Sequence, residues 1–191
     1  TGQYILSLTE MAKQSLKENE VERAIEFLNR AKIYPENLGE GKLAGAKEYD
    51  INYWLGCANE INNNIAKALE FWKLASEGES ELSIALFYND QKPDDIFFQG
   101  LALLKMGKPN EANKKFNKLI EYGKNHINDK IKIDYFAVSL PDLQIWEDDL
   151  DKVNRLHCKY LIGLGYLGLG EIEKANTELN NILPKENIKI R

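Results

Sequence analysis

Four alanines set the register of this chain: Ala24, Ala68, Ala112 and Ala175. Four residues after each stands a large apolar side chain, Leu28, Trp72, Phe116 or Leu179, and twelve residues before each stands a small one, Ala12, Gly56, Gly100 or Gly163. One position earlier again are Met11, Leu55, Gln99 and Ile162. The first three alanines are evenly spaced and the fourth comes later, so an insertion separates the last two units. Self-similarity of this kind is the mark of a chain built by stacking one supersecondary unit, because no single unit can bury its own apolar face.

The third unit, from Phe97 to Tyr122, shows what the unit is. Phe97, Leu101, Leu103 and Leu104 put apolar groups at helical spacing. Gly100 leaves a gap where another helix can come close. Met106-Gly107-Lys108-Pro109 then stops one helix and starts the next, since Gly past a helix end takes the left-handed conformation and Pro fits a first turn. Ala112, Phe116, Leu119 and Ile120 form the inner stripe of the second helix. Each unit is therefore expected to be a pair of antiparallel helices, closed at Ala112 and filled by Phe116 one turn later.

These offsets resemble the tetratricopeptide repeat. Leu55-Gly56, Ala68 and Trp72 carry the likeness in one unit, and Gly100, Ala112 and Phe116 in the next. Gly163, Tyr166, Ala175 and Pro184 carry it in the last; Ala12, Ala24, Ala31 and Pro35 carry it more thinly in the first. The likeness covers about residues 5–36, 49–79, 93–124 and 156–187. It implies one all-α domain over 1–191, a right-handed α-solenoid of about four helix pairs, with a helical insert over about 125–154 between the third and fourth.

Helices are expected over Gly2–Lys17, Val21–Tyr34, Glu48–Glu60 and Ile65–Ser76, with a turn at Asn62-Asn63-Asn64. Two stretches depart from the repeat. One is 77–95, with a short helix expected over 83–88. The other is 123–154, where Ser139-Leu140-Pro141-Asp142 reads as a helix start and Leu143, Ile145, Trp146 and Leu150 as an apolar face. The segments DYFAVSLPDL and YLIGLGYLGLG together look like the C-terminal helical region of large prokaryotic proteins that place a carbohydrate-enzyme-like domain ahead of tetratricopeptide repeats. That likeness implies an alternative function, an appended domain whose acidic, aromatic insert contributes to a sugar site.

Composition narrows the function classes. Of 191 residues, 29% are charged and the formal net charge is -5, which argues against nucleic acid, whose phosphates need a concentrated basic surface. The longest apolar run, Tyr160–Leu169, is too short to span a bilayer. No basic region followed by a long apolar core opens the chain, so the expectation is cytoplasmic; the chain begins at Thr1, and the expectation covers only the residues present. Cys57 and Cys158 fall on separate apolar helices and are expected to be buried thiols. His126 and His157 have no ligand spacing, so neither a metal nor another cofactor is expected.

Catalytic motifs read more simply as structure. Gly163, Gly165 and Gly168 fit G-x-G-x-x-G, but they lie within a helix rather than between a strand and a helix, so they serve packing. Asp142, Glu147, Asp148, Asp149 and Asp151 lack calcium-loop spacing and suit a solvated face and helix-dipole contacts. His157 and Cys158 are adjacent, so their side chains diverge on a helix, and no Gly-x-Ser-x-Gly elbow occurs. The chain is not expected to be an enzyme.

In tetratricopeptide arrays the first helix of each pair lines the concave groove. The resemblance places Tyr53, Cys57, Glu60, Phe97, Leu101, Lys105, Tyr160 and Leu164 there. The expected function is a non-catalytic protein–protein or inter-domain scaffold, its groove filled either by a partner segment or by the chain's own insert. The partner would be another protein or another domain of the same polypeptide. Exposed repeat ends also raise the expectation of a homodimer.

Overall fold

The computed structural model describes residues 1–39, 41–42, 46–83, 92–131 and 149–182. Among these, regular structure is entirely helical: α1 (Gly2–Lys17), α2 (Val21–Ala31), α3 (Tyr49–Ile61), α4 (Ile65–Ser76), α5 (Pro93–Lys105), α6 (Pro109–His126), α7 (Leu150–Gly168) and α8 (Ile172–Asn180), with a short 3₁₀ turn at Glu36–Leu38. None of these helices is long and apolar enough to cross a membrane.

The turns after α1, α3, α5 and α7 are built alike. Asn19, Asn63, Gly107 and Gly170 have φ of 62°, 56°, 72° and 77°. The next backbone N–H reaches back to the first helix in each case: Glu20 to Ser15 O at 2.8 Å, Asn64 to Asn59 O at 2.8 Å, Lys108 to Leu103 O at 2.9 Å and Glu171 to Tyr166 O at 2.9 Å. The left-handed residue itself bonds three positions back, to Leu16, Glu60, Leu104 and Leu167. This pair of bonds is the Schellman motif, which satisfies carbonyls that a helix end leaves open. The second helices then begin at Val21, Ile65, Pro109 and Ile172, each three residues before its register alanine.

The closing contact recurs as well. A Cβ on Gly56 would stand 2.3 Å from the Trp72 indole, one on Gly100 would stand 2.4 Å from the Phe116 ring, and one on Gly163 would stand 2.6 Å from Leu179. Only a hydrogen at these positions lets the side chain of the second helix lie on the backbone of the first. Ala24, Ala68 and Ala112 have no exposed surface, and Ala175 is 1% exposed.

The chain divides into two compact units, Thr1–Gly78 with Leu101–Pro109, and Glu79–Gly100 with Asn110–Arg191. In the first unit, α1 packs on α2, α2 on α3 and α3 on α4. Leu8, Ala12, Phe27, Leu28, Ile51 and Leu55 form one core there, and Cys57, Ala68, Trp72, Ala75 and Ala102 form another. Glu48, mostly buried, holds Lys42 at 2.5 Å and Lys32 at 3.5 Å. In the second unit, Gly123 faces the Cys158 carbonyl and Ile162, and Gly165 faces Ile120 and the Phe116 carbonyl, which brings α6 and α7 together. Ile96, Leu119, Leu161 and Leu164 form the core beside that crossing.

Several expected boundaries move. α2 ends at Ala31, not Tyr34, because the residue before Pro35 is kept out of the helical region. α6 continues to His126, past the expected repeat end. α7 starts at Leu150, inside the expected insert, where the Asp149 carboxylate caps it by accepting the Lys152 N–H at 3.1 Å. Leu104, counted in the apolar stripe of α5, is exposed, whereas Leu103 of the same stripe is buried, as is Ala102, which is not counted in it. On α1, Met11 is 45% exposed, whereas its counterparts Leu55, Gln99 and Ile162 are buried. Glu40, residues 43–45, residues 84–91, residues 132–148 and residues 183–191 lie outside the described residues. Most of the helix expected over 83–88, the Ser139 helix start, Trp146 and Pro184 fall there.

Candidate functional site

The eight expected groove residues fall into two groups, one in each unit. In the first, Tyr53, Cys57 and Glu60 stand one helical turn apart on α3, and Leu101 and Lys105 belong to the end of α5. The Lys105 ammonium donates to the Glu60 carboxylate and also lies 5.4 Å from the centre of the Trp72 ring. Glu60 and Lys105 keep 39% and 35% of their side chains in solvent, so this pair can exchange partners at little cost. Tyr53 is half-buried, meets Trp54 edge-on at 5.2 Å, and shares the cluster of Cys57 and Trp72. Leu101 is half-buried.

Burial pushes the Tyr53 hydroxyl well above the usual phenol range, and the neighbouring Cys57 sulfur adds to it. Burial also pushes the Cys57 thiol up; the Tyr53 hydroxyl, Lys105 and the Trp72 indole pull it back only in part. Cys57 therefore remains a protonated thiol at neutral pH, the inert form.

The second group is apolar and already covered. Phe97 on α5 and Tyr160 and Leu164 on α7 share one cluster, and Leu82 packs into it from the non-helical segment before α5. Phe97 also lies 5.9 Å from the Phe116 ring. The Tyr160 hydroxyl donates to Asp94 at 2.6 Å, and burial followed by that carboxylate raises its pKa.

Four further residues hold the segment that carries Leu82. Gln99 Nε2 donates to the Glu79 carbonyl at 2.9 Å, and Lys115 Nζ donates to Gln99 Oε1 at 2.9 Å. Lys118 pairs with Glu81 at 2.8 Å, and His157 Nε2 meets the Ser83 carbonyl at 3.1 Å. Burial lowers the Lys115 pKa, and Lys118 lowers it further. Sequence reasoning set none of these four in the groove. One signal was readable: Gln99 stands where two other units have Leu55 and Ile162, and a polar residue in a core register demands a polar partner.

The cysteines and the acidic cluster also find places. Both thiols are free and buried, and burial pushes Cys158 up to about 11. His157 and Cys158 diverge as helix geometry requires, one toward Ser83 and the other toward Asn154. Asp151 accepts from Lys130 at 2.6 Å and from the Ile131 N–H at 3.0 Å, and both contacts lower its pKa. The rest of the acidic, aromatic insert, from Asp142 to Asp148, lies outside the described residues. No established protein-family profile matches this chain.

Proposed function

We propose that this chain is a non-catalytic docking module, an array of four tetratricopeptide-like hairpins that binds another protein or another domain of its own polypeptide. The observation that carries the reading is the repetition itself. One Schellman turn recurs four times at one offset from the register alanine, and three of the units close by a large side chain against a glycine sixteen residues earlier. Chains of stacked hairpins present extended surfaces for recognition, and their repeated part carries geometry rather than chemistry.

The α3–α5 group is the docking surface of this reading. In this reading the half-buried tyrosine is the anchor, supplying area at small entropic cost, and the half-exposed ion pair is a rim charge that supplies orientation. A protonated Cys57 and a Lys105 paired with Glu60 leave that surface without an activated nucleophile.

The test is site-specific photocrosslinking in the source cells, with a photoreactive phenylalanine at Tyr53 and a control at the exposed Leu74. A discrete crosslinked band from the Tyr53 position, absent at Leu74 and weakened by Lys105→Glu, is expected. Identical patterns at both positions would sink the assignment.

A further inference from the structure

Among the described residues, five of the chain itself lie on the surface formed by α5, α6 and α7. Along Glu79–Ser83, Gln99 takes the first carbonyl, Lys118 the Glu81 carboxylate, the apolar cluster the Leu82 side chain and His157 the last carbonyl. Two main-chain oxygens, one acid and one leucine are thus read in order by side chains from three helices. Peptide recognition uses the same division of labour: bonds to main-chain groups hold the segment and contacts to particular side chains select it.

Gln99 makes the point sharply. It is fully buried, at a position where α3 has Leu55 and α7 has Ile162. An apolar side chain would fill that volume with no polar group to satisfy. The amide is tolerated because Glu79 O and Lys115 satisfy its two ends, and the return is a donor aimed at a main-chain carbonyl. The segment is held by side chains rather than by regular secondary structure. It has no helical or strand pairing, and its Glu81 side chain is 80% exposed. Segments outside regular secondary structure open at lower free energies than the core helices they lie on.

We infer that Glu79–Ser83 is an internal stand-in, and that the surface beneath it takes an extended segment of a partner protein bearing an acidic residue directly before a leucine. The inference rests on reading the chain as a docking module and names the chemistry of what one of its surfaces binds. Lys118, with Lys115 one turn away, supplies the complementary charge. The stand-in keeps the surface closed to weak ligands, because a binding-competent state that is rarely populated lowers apparent affinity in proportion.

The experiment is a proton NMR titration of the full chain with the peptide EGESELS, residues 77–83. It reads the His157 imidazole, and His126, bound to Asp129, serves as the reference. In the natural chain, millimolar peptide is expected to leave both histidines unmoved. In the double variant Glu81→Ser, Leu82→Ser, the His157 resonance shifts saturably and His126 does not. Adding Lys118→Glu to that variant weakens uptake about three- to tenfold, and a peptide with Lys in place of Glu81 reverses the preference.

Three results would overturn the inference. The first is a double variant with native helicity by circular dichroism that takes up no peptide. The second is uptake indifferent to Lys118→Glu, or equal in the natural chain. The third is a double variant that sediments as a dimer and admits no peptide, which would assign the surface to a second copy. Crosslinking at Tyr53 and peptide uptake at Lys118 use different residues, so the docking reading and this inference can fail separately.

Discussion

Tyr53 and Cys57 on α3 stand at the same offsets from Gly56 as Tyr160 and Leu164 on α7 do from Gly163, yet they meet different neighbours. Around α3 the described contacts are made by side chains: Lys105 reaches Glu60 and lies over Trp72, and about a third of each partner of that ion pair stays in solvent. Around α7 the surface is completed by main chain, with Leu82 in the apolar cluster and its flanking carbonyls held by Gln99 and His157. The floors are alike, an aromatic ring on a glycine, Trp72 on Gly56 and Phe116 on Gly100. The two floors are thus set by the same geometry, while the surfaces above them differ.

If the floors are equivalent, emptying either should cost the most. Phe116→Ala and Trp72→Ala are each expected to lose about 3–5 kcal/mol in denaturant unfolding, the range for large buried aromatics. A loss much smaller for one would show that its ring is not the closing element of its hairpin. Smaller is the cost of filling the gap from the other side. Gly56→Ala and Gly100→Ala put a methyl into the indole and the phenyl ring, an overpacking worth about 1–3 kcal/mol. The better helix propensity of Ala returns up to about 1 kcal/mol of that. Equal net losses in melting curves would support the comparison, and a gain at either site would break it.

The floor was legible in the sequence because its cause is local. Register alanines, small residues at a fixed offset and large residues four positions on are stated by the chain, and the structure buries Ala12, Ala24, Ala68, Ala112, Leu28, Trp72 and Phe116 accordingly. Two of the turns carried a glycine and one an asparagine triplet, but Asn19 gave no clear sign, since asparagine enters the left-handed region only when a helix end asks it to. The surface was less legible. Phe97, Tyr160 and Leu164 are placed together, but what covers them is Leu82, from a segment with no periodicity, where a partner or an insert had been expected. Contacts made by loop carbonyls leave no trace in spacing; only the out-of-place Gln99 hinted at them.

The covering segment gives a middle-sized effect. Leu82 is half-buried, so Leu82→Ala should cost about 1–2 kcal/mol, below the range for fully buried leucines. Amide exchange should rise near Leu82 before it rises in α6. Exchange unchanged by the substitution would mean that the strap holds without its leucine. Alkaline pH probes the same unit more gently. The Cys158 pKa is raised by burial to about 11, above the ordinary 9.0, so the folded chain binds this proton more tightly. Its contribution to stability is complete below about pH 9 and is lost as pH rises through about 11. Replacing Cys158 with alanine should flatten the fall in melting temperature across that window, and an unchanged slope would place the alkaline transition elsewhere.

Lys105→Met should have the smallest effect on stability. The ammonium has two attractions, the Glu60 carboxylate and the Trp72 face, but about a third of its side chain is in water and salt screens it. Exposed pairs are worth about 0–1 kcal/mol, and a partly exposed cation beside an aromatic ring about 0.5–1 kcal/mol. Methionine keeps the stem that covers the indole, so the net loss should stay under about 1 kcal/mol and shrink further at high salt. Crosslinking from Tyr53 should fall in the same variant. A residue whose removal barely moves the melting curve but weakens capture is spending its charge on a partner. A loss of 2 kcal/mol or more would contradict the range for exposed pairs and make Lys105 a structural clamp. The α3–α5 surface would then be closed by its own side chains, as the α5–α7 surface is closed by its own main chain.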